Sequence, residues 1–126
     1  MPIIETRALN LTPNFLLGEF VRTQDAMPDR WIINNLYRVA NRLQAVRDLL
    51  GRPIIISSGY RTLAHNKEVG GAENSLHING MAADISVPGM TPKQLHDYLK
   101  NWNGGLGLYK YHVHVDIGSK RRWVDL

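Results

Sequence analysis

Two short segments carry most of the side chains able to do chemistry. They are Ser75-Leu76-His77-Ile78-Asn79-Gly80-Met81-Ala82-Ala83-Asp84 and His112-Val113-His114-Val115-Asp116. Together they supply two imidazoles and a carboxylate that could converge on one metal ion, with a third imidazole left beside it. Two histidines and one carboxylate with an open fourth position make the donor set of a hydrolytic zinc site. Zinc in such a site lowers the pKa of water and polarises a substrate carbonyl. The pattern points to metal-assisted hydrolysis.

The second segment carries its own geometry. His112, His114 and Asp116 alternate with Val113, Val115 and Ile117. Successive side chains on a strand point to opposite faces. The spacing therefore predicts a strand over 112–117, with the polar set on one face and the β-branched set in a core. Burial alone does not require imidazoles on the second face. In the first segment Gly80 permits a turn after His77, and residues 82–87 read as a strand entered through small residues. Small residues let two backbones approach closely. His65 and His96 read differently. His65 sits in a short polar, helix-like run, and His96 shares a helix with Lys93, Asp97 and Lys100. Both fit ordinary surface or hydrogen-bonded histidines.

His77-Ile78-Asn79-Gly80-Met81-Ala82-Ala83-Asp84, taken with His114-Val115-Asp116, resembles the zinc motifs of the M15 metallopeptidases. These are D-Ala-D-Ala carboxypeptidases and related peptidoglycan peptidases, phage endolysins among them. Other segments resemble the small single-domain branch of that family. They are Leu11-Thr12-Pro13-Asn14-Phe15 with Leu17-Gly18-Glu19-Phe20, the strand-then-arginine run from Pro53 to Arg61, and Val69-Gly70-Gly71-Ala72 with Ser75. Gly105-Leu106-Gly107-Leu108-Tyr109 and Lys120-Arg121-Arg122-Trp123 fit as well, so nearly the whole chain is covered.

The resemblance implies one zinc ion held by His77, Asp84 and His114. It implies that Arg61 neutralises a substrate carboxylate or the developing oxyanion. A guanidinium suits either task, because it stays charged and offers several donors. Ser75 would hold the substrate or the ligand loop. The implied fold is α+β, of the zinc D-Ala-D-Ala carboxypeptidase and Hedgehog type. The implied activity is hydrolysis of peptidoglycan stem peptides, at the D-Ala-D-Ala or the L-Ala-D-Glu bond.

One departure matters. Many relatives carry Asp or Glu three residues before the last histidine ligand, as general base; here Tyr111 stands there. A neutral tyrosine is a poor base at pH 7, with an ordinary pKa of about 10. His112 lies two residues before the ligand, and some carboxypeptidases of the family have a similar His-x-His arrangement. His112 is therefore the candidate base and proton shuttle. Asp116 is placed to hydrogen-bond His114 and fix its tautomer. The missing acidic residue also motivates a second reading, a non-catalytic, zinc-stabilised module that binds cell wall.

Length and composition agree with a small enzyme. At 126 residues the chain predicts one domain, 1–126, large enough for a single core. It has no cysteine, which excludes disulfides, thiolate metal sites and cysteine nucleophiles. No basic region followed by a long apolar run opens the sequence, so no signal peptide is expected. No apolar stretch is long enough to span a bilayer. The expectation is a soluble monomer made in the cytoplasm that reaches cell wall when released, as in phage lysis. A net charge of +4 suits an anionic partner such as a wall polymer. Lys120-Arg121-Arg122 is the densest basic cluster, but no nucleic-acid motif accompanies it. It reads as solvated surface.

The elements that must position these residues follow from periodicity. Residues 31–50 place Ile32, Leu36, Val39, Ala40 and Leu43 on one helical face, with Asp29 as a cap and Gly51 just past the end. Pro53 to Ser57 predicts a short central strand, and Leu63 to Val69 a brief helix. Thr91 and Pro92 open a helix that should run to about Trp102. Residues 105–109 and 112–117 read as a hairpin joined at Lys110-Tyr111. The expected fold is α+β, with a small, mainly antiparallel sheet that carries the site. The first 29 residues have weak periodicity and are expected to wrap over the core.

Overall fold

A computed structural model describes residues 7–23 and 25–126. A small hairpin of β1 (Asn10–Thr12) and β2 (Phe15–Leu16) leads directly into a one-turn helix, α1 (Leu17–Phe20). The long helix α2 (Arg30–Leu50) follows, then strand β3 (Ile55–Ser58) and the short helix α3 (Leu63–Glu68). A 3-10 turn over Leu76–Asn79 leads into β4 (Ala82–Ser86). Helix α4 (Pro92–Tyr98) precedes β5 (Gly105–Tyr109), β6 (Val113–Asp116) and β7 (Arg121–Asp125). The last five strands form one sheet in the order β3-β4-β6-β5-β7. Its pairs are antiparallel except β5 with β7, which are parallel. The architecture is α+β, with a mainly antiparallel sheet and flanking helices.

The core forms where the apolar faces of four regions meet. Helix α2 buries Ile32, Leu36, Val39, Ala40 and Leu43, residues three or four apart or adjacent on one face. The N-terminal segment adds Phe15, Leu17, Phe20 and Val21, and the α4 region adds Leu95, Leu99 and Trp102. The sheet contributes Ile56, Ala83, Ile85, Leu106, Leu108, Val113 and Val115 to the same cluster. Each fully buried large apolar side chain contributes roughly 1.5–3 kcal/mol by leaving water. Buried Gln44 ties the first hairpin to α2. Its Oε1 accepts from Thr12 Oγ1 (2.8 Å) and from the Asn14 N–H (2.9 Å). Among the described residues no helix is long and apolar enough to cross a membrane.

Several boundaries differ from the sequence expectation. β3 lies at the edge of the sheet, not at its centre, and its side chains alternate between exposed and buried. Three consecutive isoleucines imitate a strand buried on both faces, yet Ile55 is half exposed. Helix α4 ends at Tyr98, and turns carry the chain on to Trp102, whose indole N–H donates to the Asp116 carbonyl (2.8 Å). Asp29 occupies the N-cap of α2, but its side chain makes no cap bond; its carbonyl receives the N–H groups of Ile32 and Ile33. β6 begins at Val113, so His112 belongs to the connection after β5. The basic cluster Lys120-Arg121-Arg122 is exposed, as expected of solvated surface, but Arg121 and Arg122 belong to strand β7.

β7 rests on two glycines of β5. Gly105 is paired with Arg121 and Gly107 with Trp123. A Cβ added at Gly107 would run into the Trp123 indole. Gly107→Val is therefore expected to destabilise the fold by about 1–3 kcal/mol, the usual cost of overpacking. Thermal or denaturant unfolding checks this, and an unchanged midpoint would show that β7 does not pack so tightly.

Candidate metal centre

Two strands and one turn bring the chemistry together. β4 and β6 are antiparallel neighbours, and their register sets Asp84 directly opposite His114. His77 arrives on the 3-10 turn. Ser75 caps that turn, its Oγ accepting from the His77 N–H (3.2 Å). Gly80 closes it with φ 69°, in the left-handed region that glycine enters at little cost. A Cβ at Gly80 would also press on Ile32 and Leu36 of α2, so the turn lies close against the helix. The resulting geometry is tight. Asp84 Oδ1 lies 3.2 Å from His77 Nε2 and 3.1 Å from His114 Nδ1. One ligand atom from each residue falls within 4.8 Å of the others. All three side chains are buried.

Chemistry of the donor atoms decides what fits between them. The other ring nitrogen of each histidine is already committed. His77 Nδ1–H donates to the Gly59 carbonyl (2.7 Å), and His114 Nε2–H donates to Asp116 Oδ2 (2.8 Å). Neutral rings fixed in this way turn a lone pair at His77 Nε2 and at His114 Nδ1 toward the Asp84 oxygen. Three lone pairs facing one another repel unless a cation or extra proton sits among them. A single borderline metal ion with N,N,O donors resolves the conflict.

The charges around these groups act on one another as well. Burial opposes the charge on Asp84, but hydrogen bonds from His114 and His77 hold its carboxyl well below the usual range. Burial also acts to neutralise His114, yet the carboxylates of Asp116 and Asp84 outweigh it and raise its pKa. A metal ion held at His114 Nδ1 would compete there with protons.

Asp116 is the best-anchored side chain of the group. Its Oδ2 accepts from His114 Nε2 and from Arg121 Nη2 (2.6 Å). Its Oδ1 accepts from the N–H groups of Gly105 (2.9 Å) and Gly118 (3.0 Å). Burial alone would raise its carboxyl, but bonds from His114, Gly105 and Arg121 bring it down to about 2. Asp116 stays ionised and keeps the proton of His114 on Nε2.

The donors lie in a cleft of about 590 Å³. The loop through Val69, Ala72 and Ser75 lines one part of it, and Tyr109, Trp123 and Asp125 line another. His112 and Arg61 also face this space. His112 Nε2 stands 3.7 Å from Asp84 Oδ2, and the ring remains partly exposed. Burial lowers its pKa; nearby Asp84 opposes this, while His114, His77 and Arg61 reinforce it. Arg61 donates from Nε to Ser58 Oγ (3.1 Å), from Nη1 to Asn66 Oδ1 (3.0 Å) and from Nη2 to Asp84 Oδ2 (3.4 Å). Every residue singled out for the site in the sequence lines this one cleft. Tyr111 does not; it is 78% exposed at the tip between β5 and β6.

A model of the Peptidase M15 family matches residues 13–117. The chain belongs to this peptidase family. It is 33% identical over 89 residues to the zinc D-Ala-D-Ala carboxypeptidase of Streptomyces albus G, covering 65% of this chain and 35% of that protein. It is 31% identical over 97 residues to the probable peptidoglycan L,D-endopeptidase MepK of Haemophilus influenzae, covering 71% of this chain and 52% of that protein. The chain thus spans between a third and about half of the length of these relatives.

Sequence reasoning did not find every group that shapes the site of this M15 peptidase. It missed Asn66, which is buried and bonds both Arg61 and the Ala72 carbonyl. The basic cluster gives no hint that Arg121 is a partner of Asp116. The alternation of Arg121, Trp123 and Asp125 is the available signal. His65 and His96 lie outside the cleft. His65 Nδ1 bonds the buried Asp25 carboxylate (3.0 Å), and His96 lies 3.4 Å from Asp97.

Proposed function

We propose that this chain is a zinc-dependent hydrolase of peptide bonds in peptidoglycan stem peptides, with His77, Asp84 and His114 holding one zinc ion. The observation that carries the reading is the convergence of two fixed imidazole lone pairs and a carboxylate in a cleft that also holds a third imidazole. Zinc in such a donor set supplies Lewis acidity, which polarises the scissile carbonyl and lowers the pKa of water. The protein's residues supply the rest. His112, which bonds no other side chain among the described residues, takes a proton at Nε2 from the attacking water and returns it to the leaving nitrogen. Arg61 offsets the charge of Asp84 and keeps donors free on its two terminal nitrogens for a substrate oxygen. Ser75 holds the turn that carries His77. Asp116 keeps His114 in the tautomer that presents Nδ1.

The finer choice lies between the terminal D-Ala-D-Ala bond and the L-Ala-D-Glu bond of the stem. A carboxypeptidase needs a cation for the free terminal carboxylate. The two arginines lining the cleft already face carboxylates, Arg61 at Asp84 and Arg121 at Asp116. This pairing favours cleavage within the stem, at the L,D bond. Digestion of defined muropeptides by the zinc-loaded chain tests both levels, because product masses identify the bond. Fragments split between L-Ala and D-Glu are expected. Release of D-Ala alone would move the assignment to carboxypeptidase, and no cleavage with zinc shown to be bound would overturn the reading.

A further inference from the structure

The three imidazoles of the cleft are oriented in different ways. His77 is fixed by the Gly59 carbonyl and His114 by Asp116. Among the described residues His112 makes no side-chain hydrogen bond, and its nearest charged partner, Asp84, stands 3.7 Å away. Its ring is nonetheless held by a neighbour. Tyr109 lies flat on it, with ring centroids 4.5 Å apart and planes inclined by only 12°. Tyr109 is the last residue of β5, and its backbone N–H closes the turn by donating to the His112 carbonyl (3.0 Å). Tyr109 is anchored in turn. Its hydroxyl oxygen accepts from Trp123 Nε1–H (3.0 Å). Trp123 comes from β7, the strand seated on Gly105 and Gly107.

We propose that Tyr109 and Trp123 are positioning residues that set the plane of the His112 imidazole. The proposal rests on the reading of His112 as the base. Offset-stacked aromatic rings attract one another beyond the area they bury, because ring edge and ring face carry opposite partial charges. That suffices to select one ring orientation where no hydrogen bond does. The Tyr109 face restrains the ring plane, and the Trp123 bond keeps Tyr109 from swinging into the cleft. β7 therefore has a task beyond closing the sheet edge: it reaches the proton-transfer group through one hydrogen bond and one stack. Gly107 is part of the same device, because only a residue without Cβ lets Trp123 cross β5.

The test uses the zinc-loaded chain, four single variants, Tyr109→Leu, Tyr109→Phe, Trp123→Phe and His112→Ala, and the double variant that combines Tyr109→Leu with His112→Ala. Tyr109→Leu removes the stack and is expected to lower kcat by on the order of ten- to a hundredfold, the scale of a misplaced reacting group. KM and zinc content should stay near those of the parent chain. Tyr109→Phe restores the stacking face and should recover most of the loss. In the His112→Ala background, Tyr109→Leu should cost nothing further, since coupled residues do not add. A readout independent of turnover comes from NMR. The His112 ring protons should be displaced upfield by the Tyr109 ring current and move downfield in Tyr109→Leu.

Unchanged kcat in Tyr109→Leu, with His112→Ala inactive, would overturn the proposal and leave His112 as base. Full activity in His112→Ala would overturn the assignment of His112 instead, and the proposal about its positioning falls with it. If Tyr109→Leu fails to fold or to hold zinc, Trp123→Phe decides. A severalfold loss of kcat with shifted His112 resonances supports the clamp, whereas unchanged kcat and resonances overturn it.

Discussion

Replacing His114 with alanine is expected to abolish metal binding and peptide hydrolysis and to lower the melting temperature. His77→Ala and Asp84→Ala should do the same. The reason lies in where the three donors come from. His77 sits on the 3-10 turn between α3 and β4, Asp84 in the middle of β4, and His114 opposite it on β6. A metal held by all three binds only the folded chain, so its binding free energy adds to stability. With free metal at a hundred times its dissociation constant, the gain is about 2.7 kcal/mol. The three variants should differ in one respect. Asp84→Ala also removes the carboxylate facing Arg61, whose side chain is only 14% exposed. A buried charge left without its partner is costly, so Asp84→Ala should be the least stable of the three even in metal-free form. Metal analysis and thermal unfolding, with and without a chelator, check each part. An unchanged melting temperature after confirmed metal removal would refute the structural role of the ion.

Much of the site was legible because strand and turn chemistry are local. Alternation of His112, His114 and Asp116 with valines and an isoleucine placed two of them, His114 and Asp116, on the cleft side of β6. Ser75 and Gly80 framed the turn of His77, and one apolar stripe placed α2 against the sheet. The remainder depends on pairing between distant segments. β7 has the run Arg121-Arg122-Trp123-Val124-Asp125, with exposed or half-exposed side chains, so its sequence carries no buried stripe. Its partner β5 lies twelve or more residues away and runs parallel to it, a relation no local pattern encodes. The same limit applies to β3, where Ile54-Ile55-Ile56 gave no sign that the strand lies at an edge. It applies to Arg61 as well. The strand-then-arginine run located it, but only the fold brings Asn66, Ser58 and Asp84 to its three nitrogens.

His112→Ala should keep the fold and the metal but lower kcat by roughly 10²- to 10⁴-fold, the usual contribution of a positioned general base. The imidazole is partly exposed and is not one of the three ligand residues of the candidate site, so its removal leaves the His77, Asp84 and His114 donors intact. KM should change little, because the residue acts on a proton and not on the bound peptide as a whole. This outcome separates the enzyme from a zinc-stabilised module that only binds cell wall, for which His112 would be dispensable. Position 111 offers a control. The family resemblance implies an acidic base at this position in many relatives, but Tyr111 lies at the hairpin tip, largely exposed and outside the cleft. Tyr111→Glu in the His112→Ala background is therefore expected to restore nothing, since position 111 does not line the cleft that holds His77, Asp84 and His114. Recovery of activity would mean that the connection between β5 and β6 rearranges in solution. Full activity in His112→Ala alone would remove the third imidazole from the mechanism.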